Sequence, residues 1–200
     1  MASDYGPWEP LTIAELTAEL AGFARPWWVA GGYALEAFAG RSWRGHGDVD
    51  VGLFGEDATA VRAHLAGWDA WAAWPAGTLV PWPAGETLPG EAHDAWMRRD
   101  GSSPWAFQLM FDRCEGGDWV FRRDSALRLP VAKLTWEQDG VRYLRPEVQL
   151  LYKAKGQRPK DEADFAEVAP LLGPDERRWL REQLEWLHPG HAWRGMLTAG

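Results

Sequence analysis

Residues 28–53 read WVAGGYALEAFAGRSWRGHGDVDVGL, and this stretch contains the strongest structural signal of the chain. A short apolar run ends at Gly31-Gly32, and the segment that follows has helical spacing and closes at Gly40. Apolar and polar residues then alternate over Asp48–Leu53, which is the period of a strand with two different faces. The stretch therefore predicts the order strand, glycine pair, helix, loop, strand.

The last strand of this unit contains two carboxylates, Asp48 and Asp50, two residues apart. Such residues share one face of a strand, about 6–7 Å apart, where their charges repel by roughly 2–3 kcal/mol at an effective dielectric constant near 20. A divalent cation between them would relieve the repulsion, and Mg²⁺ takes ligands of this kind together with phosphate oxygens and water. The alternative is a pair that is solvated or paired with Arg41 or Arg44.

The glycine pair Gly31-Gly32 lies between an apolar strand and a helix. Backbone N–H groups point outward at such a junction, where anions bind. The alternative is a tight turn that needs a positive φ. The order strand, Gly-Gly, helix, Asp-x-Asp strand is much rarer by chance than either element alone, so the two together predict a nucleotide-handling site.

The first 145 residues are predicted to combine strands with two further helices. Helical spacing covers Leu11–Phe23 and Asp57–Ala66. Phe107–Phe111 alternates like a strand, and a Gly-Gly turn precedes Trp119–Arg122, the predicted returning strand of a hairpin. We expect a mixed-sheet domain over residues 1–145.

Residues 68–104 hold many prolines and glycines. This composition predicts loops and short strands. One short helix is expected in this region, near His93–Arg98.

The pattern becomes helical after Pro146-Glu147, a favoured helix start. We expect a C-terminal helical portion over residues 146–200 that packs on the mixed-sheet domain of residues 1–145. Its three predicted helices are Val148–Lys155, Glu162–Leu172 and Asp175–Leu187.

Composition narrows the range of partners. The formal net charge is −8, and no basic run offsets it, so nucleic acid is not an expected partner. The N-terminus lacks the pattern of a signal peptide, and no apolar run is long enough to span a membrane, which predicts a cytoplasmic protein.

The 15 tryptophans are expected to be mostly buried or half-buried, with some available to line a pocket for a flat ligand.

Two motifs resemble a known superfamily. WVAGGYALEAFAGR (28–41) and RGHGDVDV (44–51) are similar to the polymerase-beta-like nucleotidyltransferases, and more narrowly to the small bacterial aminoglycoside and lincosamide nucleotidyltransferases. A looser resemblance covers residues 147–165, with LLYKAK and RPKDEADF. The resemblance implies an α+β fold in which helices flank a mixed sheet, with a helical C-terminal portion.

The resemblance also implies roles for individual residues. Asp48 and Asp50 would be catalytic carboxylates and metal ligands, with two Mg²⁺ ions expected. The predicted nucleotide-binding residues are Gly31, Gly32, Arg44, His46 and Lys153. Members of the superfamily usually add a third carboxylate from a later strand, but the aligned position here is Gln108.

Asp112 lies on the same face of that strand and is the candidate replacement for the third carboxylate. It is four residues further on, about 13 Å at the usual rise, so it could serve only if the strand ends or bends there. The alternative is a turn residue that opens the hairpin. The alternative for Lys153 is a solvated helix face. Asp161 and Asp164 are predicted to be helix-surface charges that form salt bridges.

The implied activity is magnesium-dependent transfer of a nucleoside monophosphate, AMP from ATP, to a hydroxyl of a small molecule such as an aminoglycoside-like antibiotic. The acidic surface and the tryptophans would suit a cationic acceptor with rings. Gln108 keeps a second hypothesis open, a catalytically weak or inactive nucleotide-binding module of the same fold. A third is a nucleotidyltransferase of toxin–antitoxin type that modifies a protein. The sequence does not identify the acceptor or the oligomeric state.

Overall fold

A computed structural model describes residues 5–197. Residues 1–4, on which the expectation of no signal peptide partly rests, lie outside the described residues. Within 5–197 no helix is both long and apolar enough to cross a bilayer.

The centre of the molecule is a mixed β-sheet. Its main path runs in the order β4-β3-β5-β6-β2-β1-β10-β9, and β7 pairs with β6 and β8. β2 pairs in parallel with β6, and β1 with β10, whereas the other pairs are antiparallel. The strands are β1 Trp27–Val29, β2 Asp50–Phe54, β3 Asp69–Ala73, β4 Leu79–Pro81, β5 Asp94–Arg98, β6 Trp105–Glu115, β7 Asp118–Val120, β8 Arg128–Pro130, β9 Thr135–Gln138 and β10 Val141–Leu144.

Helices flank this sheet, which confirms the predicted α+β class with a mixed sheet. Apart from the one near His93–Arg98, the predicted helices are found, with shifted ends. They are α1 Ile13–Glu19, α2 Gly31–Ala39, α3 Ala58–His64, α4 Pro146–Ala154, α5 Pro159–Val168 and α6 Pro174–Leu187, with a short α7 Trp193–Met196.

Two hydrophobic cores cover the two faces of the sheet. Val51 and Leu53 of β2 are fully buried in the first core, together with residues of α1 and α3. Trp28 and Phe54 lie in the second core with residues of α2, α4, α5 and α6. This second core contains side chains from both sides of residue 145. The predicted domain boundary at that residue stays a prediction.

The helix predicted near His93–Arg98 is wrong, because Asp94–Arg98 forms strand β5. Ala95 and Met97 are fully buried whereas their neighbours along the strand are half-buried, which is the alternation of a strand with one face in the core. The short segment pairs on both sides, with β3 and with β6, and this tertiary pairing decides its structure.

Tryptophan burial agrees with the expectation from composition. Trp186 is the one tryptophan whose side chain is exposed, and the other fourteen are buried or half-buried. Trp71 and Trp96, on β3 and β5, are half-buried on the sheet face opposite the first core.

Candidate active site

A cavity of about 210 Å³ opens where β1, β2 and β6 meet the N-terminus of α2 and the helices α4 and α5. Gly31, Gly32, Asp48 and Asp50 line it, so the two motifs of residues 28–53 meet at one site. The sheet explains why: β1 and β2 are antiparallel neighbours, which brings the residues after β1 beside the start of β2.

Gly31 and Gly32 are the first two residues of α2. A Cβ on Gly31 would lie 2.3 Å from an Asp50 carboxylate oxygen, and one on Gly32 would lie 2.2 Å from His46 Cε1. Gly31 also has φ +68°, so the predicted positive-φ turn is present at a residue that lines the cavity. Glycine is needed here because the Asp50 and His46 side chains pack directly on the backbone of α2.

Gln149 of α4 is a site residue that the sequence analysis missed. Its Oε1 accepts a 2.7 Å hydrogen bond from the Gly31 backbone N–H, and its side chain is buried at the cavity wall. The bond fixes the beginning of α2 against the C-terminal helices. Nothing in the local sequence signals this role, because the two residues are 118 positions apart.

Asp50 begins β2, whereas Asp48 precedes the strand, so the prediction that both lie on a strand is wrong for Asp48. Both side chains nevertheless line the cavity, and Val49 and Val51 are fully buried behind them. Burial, and then the charge of Asp48, raises the pKa of Asp50 to about 7.

Neither carboxylate pairs with a nearby arginine. Arg41 pairs with Glu167 and Arg44 with Asp164, and among residues 5–197 no cation lies within 4 Å of Asp48 or Asp50. The salt-bridge alternative is therefore wrong.

A divalent cation suits this carboxylate pair. The half-buried Asp50 carboxylate feels the like charge of Asp48, which is the electrostatic situation that a bound cation relieves. Over the described part of the chain, no group of three or more Asp, Glu, His or Cys side chains could hold a metal ion. Mg²⁺ needs only one or two carboxylates when phosphate and water oxygens complete its shell, so Asp48 and Asp50 fit that ion.

The pairing of β6 with β2 shows which side chains lie where a third carboxylate is expected. Gln108 lies opposite Asp50, and Asp112 lies opposite Phe54. β6 continues through Asp112 to Glu115, so the strand does not end there. Asp112 lines the cavity, but it accepts a 3.0 Å hydrogen bond from the Tyr152 hydroxyl, and burial raises its pKa.

Asp94 is a second acidic residue near the site that the sequence analysis missed. It opens β5 opposite Met110, and the pairing of β2, β6 and β5 puts it on the same sheet face as Asp50. Its charge raises the pKa of both Asp50 and Asp112, after burial as the largest cause. The helix predicted near His93–Arg98 gives no reason to place Asp94 beside Asp50. A strand over the same residues would have placed Asp94 and Trp96 on one face.

Of the predicted cationic residues, Arg44 and Lys153 reach the cavity wall and His46 does not. His46 is buried behind Gly32, with Nε2 3.1 Å from a Glu36 carboxylate oxygen. The cavity wall also contains four cationic residues that the sequence analysis did not select: Arg122, Arg123, Arg158 and Lys160.

Asp161 and Asp164 of α5 are fully buried, so the predicted surface position is wrong. Both nevertheless form salt bridges, as predicted. Lys153 is buried as well, with Nζ 2.8 Å from an Asp164 oxygen and 3.5 Å from an Asp161 oxygen. Asp164 also accepts hydrogen bonds from Arg44 Nε at 2.8 Å and Nη2 at 2.9 Å. The looser motif of residues 147–165 thus contacts the motif of residues 44–51 directly.

The family model of the aminoglycoside-2''-adenylyltransferases matches residues 12–73. No curated protein matches the sequence.

Solved structures share the fold at low sequence identity. The lincomycin-bound lincosamide antibiotic adenylyltransferase LnuA is 14% identical, with a TM-score of 0.55, covering 80% of this chain and 98% of its own. The antibiotic-resistance factor ANT(2'')-Ia in solution is 16% identical, with a TM-score of 0.56 and coverages of 86% and 89%. ANT(2'')-Ia in complex with adenylyl-2''-tobramycin is 18% identical, with a TM-score of 0.55 and coverages of 86% and 94%. The chain therefore has the fold of the antibiotic nucleotidyltransferases and resembles the aminoglycoside-2''-adenylyltransferase family.

Proposed function

We propose that this protein transfers AMP from ATP to a hydroxyl group of a small molecule and releases pyrophosphate. The main support is the meeting of Asp48 and Asp50 with Gly31-Gly32 in one cavity whose wall is rich in cationic side chains. Carboxylates for a metal and cations for phosphates are the two requirements of phosphoryl transfer, in which positioning and charge neutralisation do most of the catalysis. Because ATP is an intracellular substrate, the proposed reaction takes place in the cytoplasm.

Asp48 and Asp50 would hold Mg²⁺, and a second ion would need a further ligand set. The metal would supply charge neutralisation at the phosphoryl oxygens. The residues of the chain would bind and orient the nucleotide, with Arg44 and Lys153 at the phosphates. The acceptor oxygen then bonds to the α-phosphorus, the bond to pyrophosphate breaks, and the hydroxyl proton passes to a carboxylate.

Asp94 and Asp112 are the two candidates for that proton acceptor. Asp112 is tied to Tyr152 and lies opposite Phe54, two pairs beyond Gly52. Asp94 has a side chain that is 28% exposed and that lies 3.5 Å from Arg122 Nη1 on the sheet face of Asp50. Asp112 lines the cavity but is bound to Tyr152, whereas Asp94 lies outside the cavity lining. A general base must reach the acceptor hydroxyl, and the exposure of Asp94 without a tyrosine hydrogen bond favours Asp94.

An aminoglycoside-like antibiotic is the proposed acceptor. The net charge of −8 attracts a cationic molecule. The sheet face beside Asp50 contains the half-buried Trp71 and Trp96, whose rings suit a ring-containing acceptor. Asp69 and Asp94 lie on the same face, each within 3.5 Å of an arginine that a cationic acceptor would replace. The match to the aminoglycoside-2''-adenylyltransferase model over residues 12–73 supports the same class.

The test is a pyrophosphate-release screen with Mg²⁺ and ATP over aminoglycosides and lincosamides. We expect at least one acceptor to give turnover in the wild type and Asp48→Asn to abolish it. No release from any acceptor, or equal release from the variant, would contradict the proposal.

A nucleotide-binding module without turnover is the second candidate, because Gln108 occupies the position opposite Asp50. In that case ATP with Mg²⁺ raises the melting temperature of the protein but no acceptor yields product. Incubation of the protein with labelled ATP and a cell lysate tests the third hypothesis, protein modification, since the label would then appear on a macromolecule.

A further inference from the structure

Asp164 is a buried carboxylate that joins two separate segments at the wall of the candidate active site. Its Oδ1 accepts hydrogen bonds from Arg44 Nε at 2.8 Å and from Trp43 Nε1 at 3.0 Å. Its Oδ2 lies 2.9 Å from Arg44 Nη2 and 2.8 Å from Lys153 Nζ. One carboxylate therefore holds the loop before β2 and the helix α4 in a fixed relation.

The two cations that Asp164 holds both line the cavity. Arg44 Nη2 lies 2.4 Å from where a Cβ on Gly32 would be, so the guanidinium packs on the first turn of α2. The side chains of Arg44 and Lys153 are only 19% and 7% exposed, which leaves them little freedom to move. They therefore present a preformed pair of positive groups beside the glycine turn.

The charge of this cluster favours an anionic ligand. Arg44, Lys153 and Arg158 share the carboxylates Asp164 and Asp161, so this cluster of five groups has one net positive charge. Burial by itself raises the pKa of Asp164, but hydrogen bonds from Arg44 and Lys153 outweigh it and hold the pKa at about 2. Asp164 is thus ionised throughout the physiological range.

We infer that Asp164 is a positioning residue that holds Arg44 and Lys153 together for the phosphate groups of the nucleotide. The inference rests on the proposed function, because it takes the nucleotide as the ligand of this cavity. Asp164 itself touches no nucleotide, since its side chain is fully buried behind the two cations. It acts by preorganising them, which reduces the entropy lost when the anion binds.

The experiment compares Asp164→Asn with Glu147→Gln and measures the affinity for ATP with Mg²⁺ by calorimetry, beside KM and kcat in the pyrophosphate assay. Glu147 is the matched control because it is a buried carboxylate of the same helical region, 2.8 Å from Arg145, and does not line the cavity. We expect Asp164→Asn to weaken ATP binding by about tenfold or more, with KM for ATP rising more than kcat falls. Glu147→Gln should leave the ATP affinity within about twofold of the wild type.

Two further variants keep the inference testable if Asp164→Asn does not fold. Arg44→Gln and Lys153→Met should each weaken ATP binding. The double variant should lose less binding free energy than the sum of the two single losses, because Asp164 holds both side chains. Unchanged ATP affinity in both folded variants, or in folded Asp164→Asn, would overturn the inference. A wild type that binds no ATP would instead overturn the proposed function.

Discussion

At the scale of the residue, Gly31 meets two separate demands, a positive φ and a close contact with Asp50. Gly40, at the other end of α2, has nearly the same φ, +67°, but has open space where a Cβ would be. A substitution at Gly40 therefore measures the backbone strain alone, whereas one at Gly31 measures the strain together with the steric contact. Alanine at either position bears the left-handed strain, roughly 1–2 kcal/mol.

We predict that Gly31→Ala lowers the free energy of unfolding by more than Gly40→Ala and also abolishes ATP binding. The added Cβ would displace the Asp50 carboxylate, whereas Gly40→Ala should cost about 1–2 kcal/mol and leave ATP binding intact. Urea denaturation and calorimetry measure the two effects. Equal losses of stability in the two variants, with ATP binding retained in both, would contradict the steric argument.

A second prediction at this scale concerns the proton acceptor. We expect Asp94→Asn to lower kcat by about 10²-fold or more with little change in the melting temperature, because Asp94 is partly exposed on the sheet face of Asp50. Asp112→Asn should mainly lower stability, because it changes the buried partner of the Tyr152 hydroxyl. Steady-state kinetics and thermal unfolding of both variants decide between them, and the reverse pattern would return the role to Asp112.

The candidate site was only partly predictable from single residues. Asp48, Asp50, Gly31 and Gly32 could be found because their chemistry is concentrated in one short motif with a recognisable order. Asp94 was missed because its strand is short and its pairing with β3 and β6, rather than local propensity, determines its structure.

At the scale of the element, α5 connects the helical portion to the site through buried charges. The sequence predicts a helix over Glu162–Leu172, and the structure places it at Pro159–Val168, with proline at its first position and acidic residues in its first turn. The burial of Asp161 and Asp164 was not predictable, because charged residues are rarely buried unless paired, and their partners Arg44 and Lys153 lie on other elements. Helix periodicity alone assigns such residues to the surface.

We predict a specific acid sensitivity from this helix. The folded-state pKa of Asp164, about 2, lies below its unfolded value of about 3.9, so its carboxylate stabilises the fold above pH 4 and loses this effect as the pH falls toward 2. Asp164→Asn should therefore show a shallower fall in unfolding free energy between about pH 4 and pH 2 than the wild type. Denaturant titrations across that range measure the slope.

Glu147→Gln is again the control for the acid experiment. Burial raises the pKa of Glu147, which is the opposite direction, so removing this carboxyl should not flatten the slope between pH 4 and pH 2. Identical slopes for Asp164→Asn and the wild type would show that the ion pairs of Asp164 contribute nothing to the acid dependence.

Over the whole molecule, the excess of negative charge should increase the rate at which cationic acceptors bind. With a net charge of −8, association with a polycationic acceptor is accelerated by long-range attraction, which salt screens over about 8–10 Å. We predict that KM for an aminoglycoside rises as ionic strength increases, whereas KM for an uncharged acceptor stays nearly constant. Kinetics at several KCl concentrations test this, and an equal response of both acceptors would contradict it.

The overall architecture was more predictable than the site. The alternation of polar and apolar residues identified most strands, and helical spacing identified most helices. Both patterns arise because one face of the segment is buried in a core. The order of the strands could not be read in the same way, since β1 pairs with β10 across more than half of the chain. Such pairing depends on the whole chain and leaves no mark in either strand.

The hydrogen bond between Gly31 and Gln149 has a consequence for how the protein is made. The two residues are separated by 118 positions, and Lys153 and Asp164 come later still. At about 5–20 residues per second, a ribosome needs roughly 6–24 s to pass from Gly31 to Gln149. During that interval the Gly31 N–H has no Gln149 side chain to bind, so the nascent chain completes the candidate site only after α4 and α5 have been synthesised.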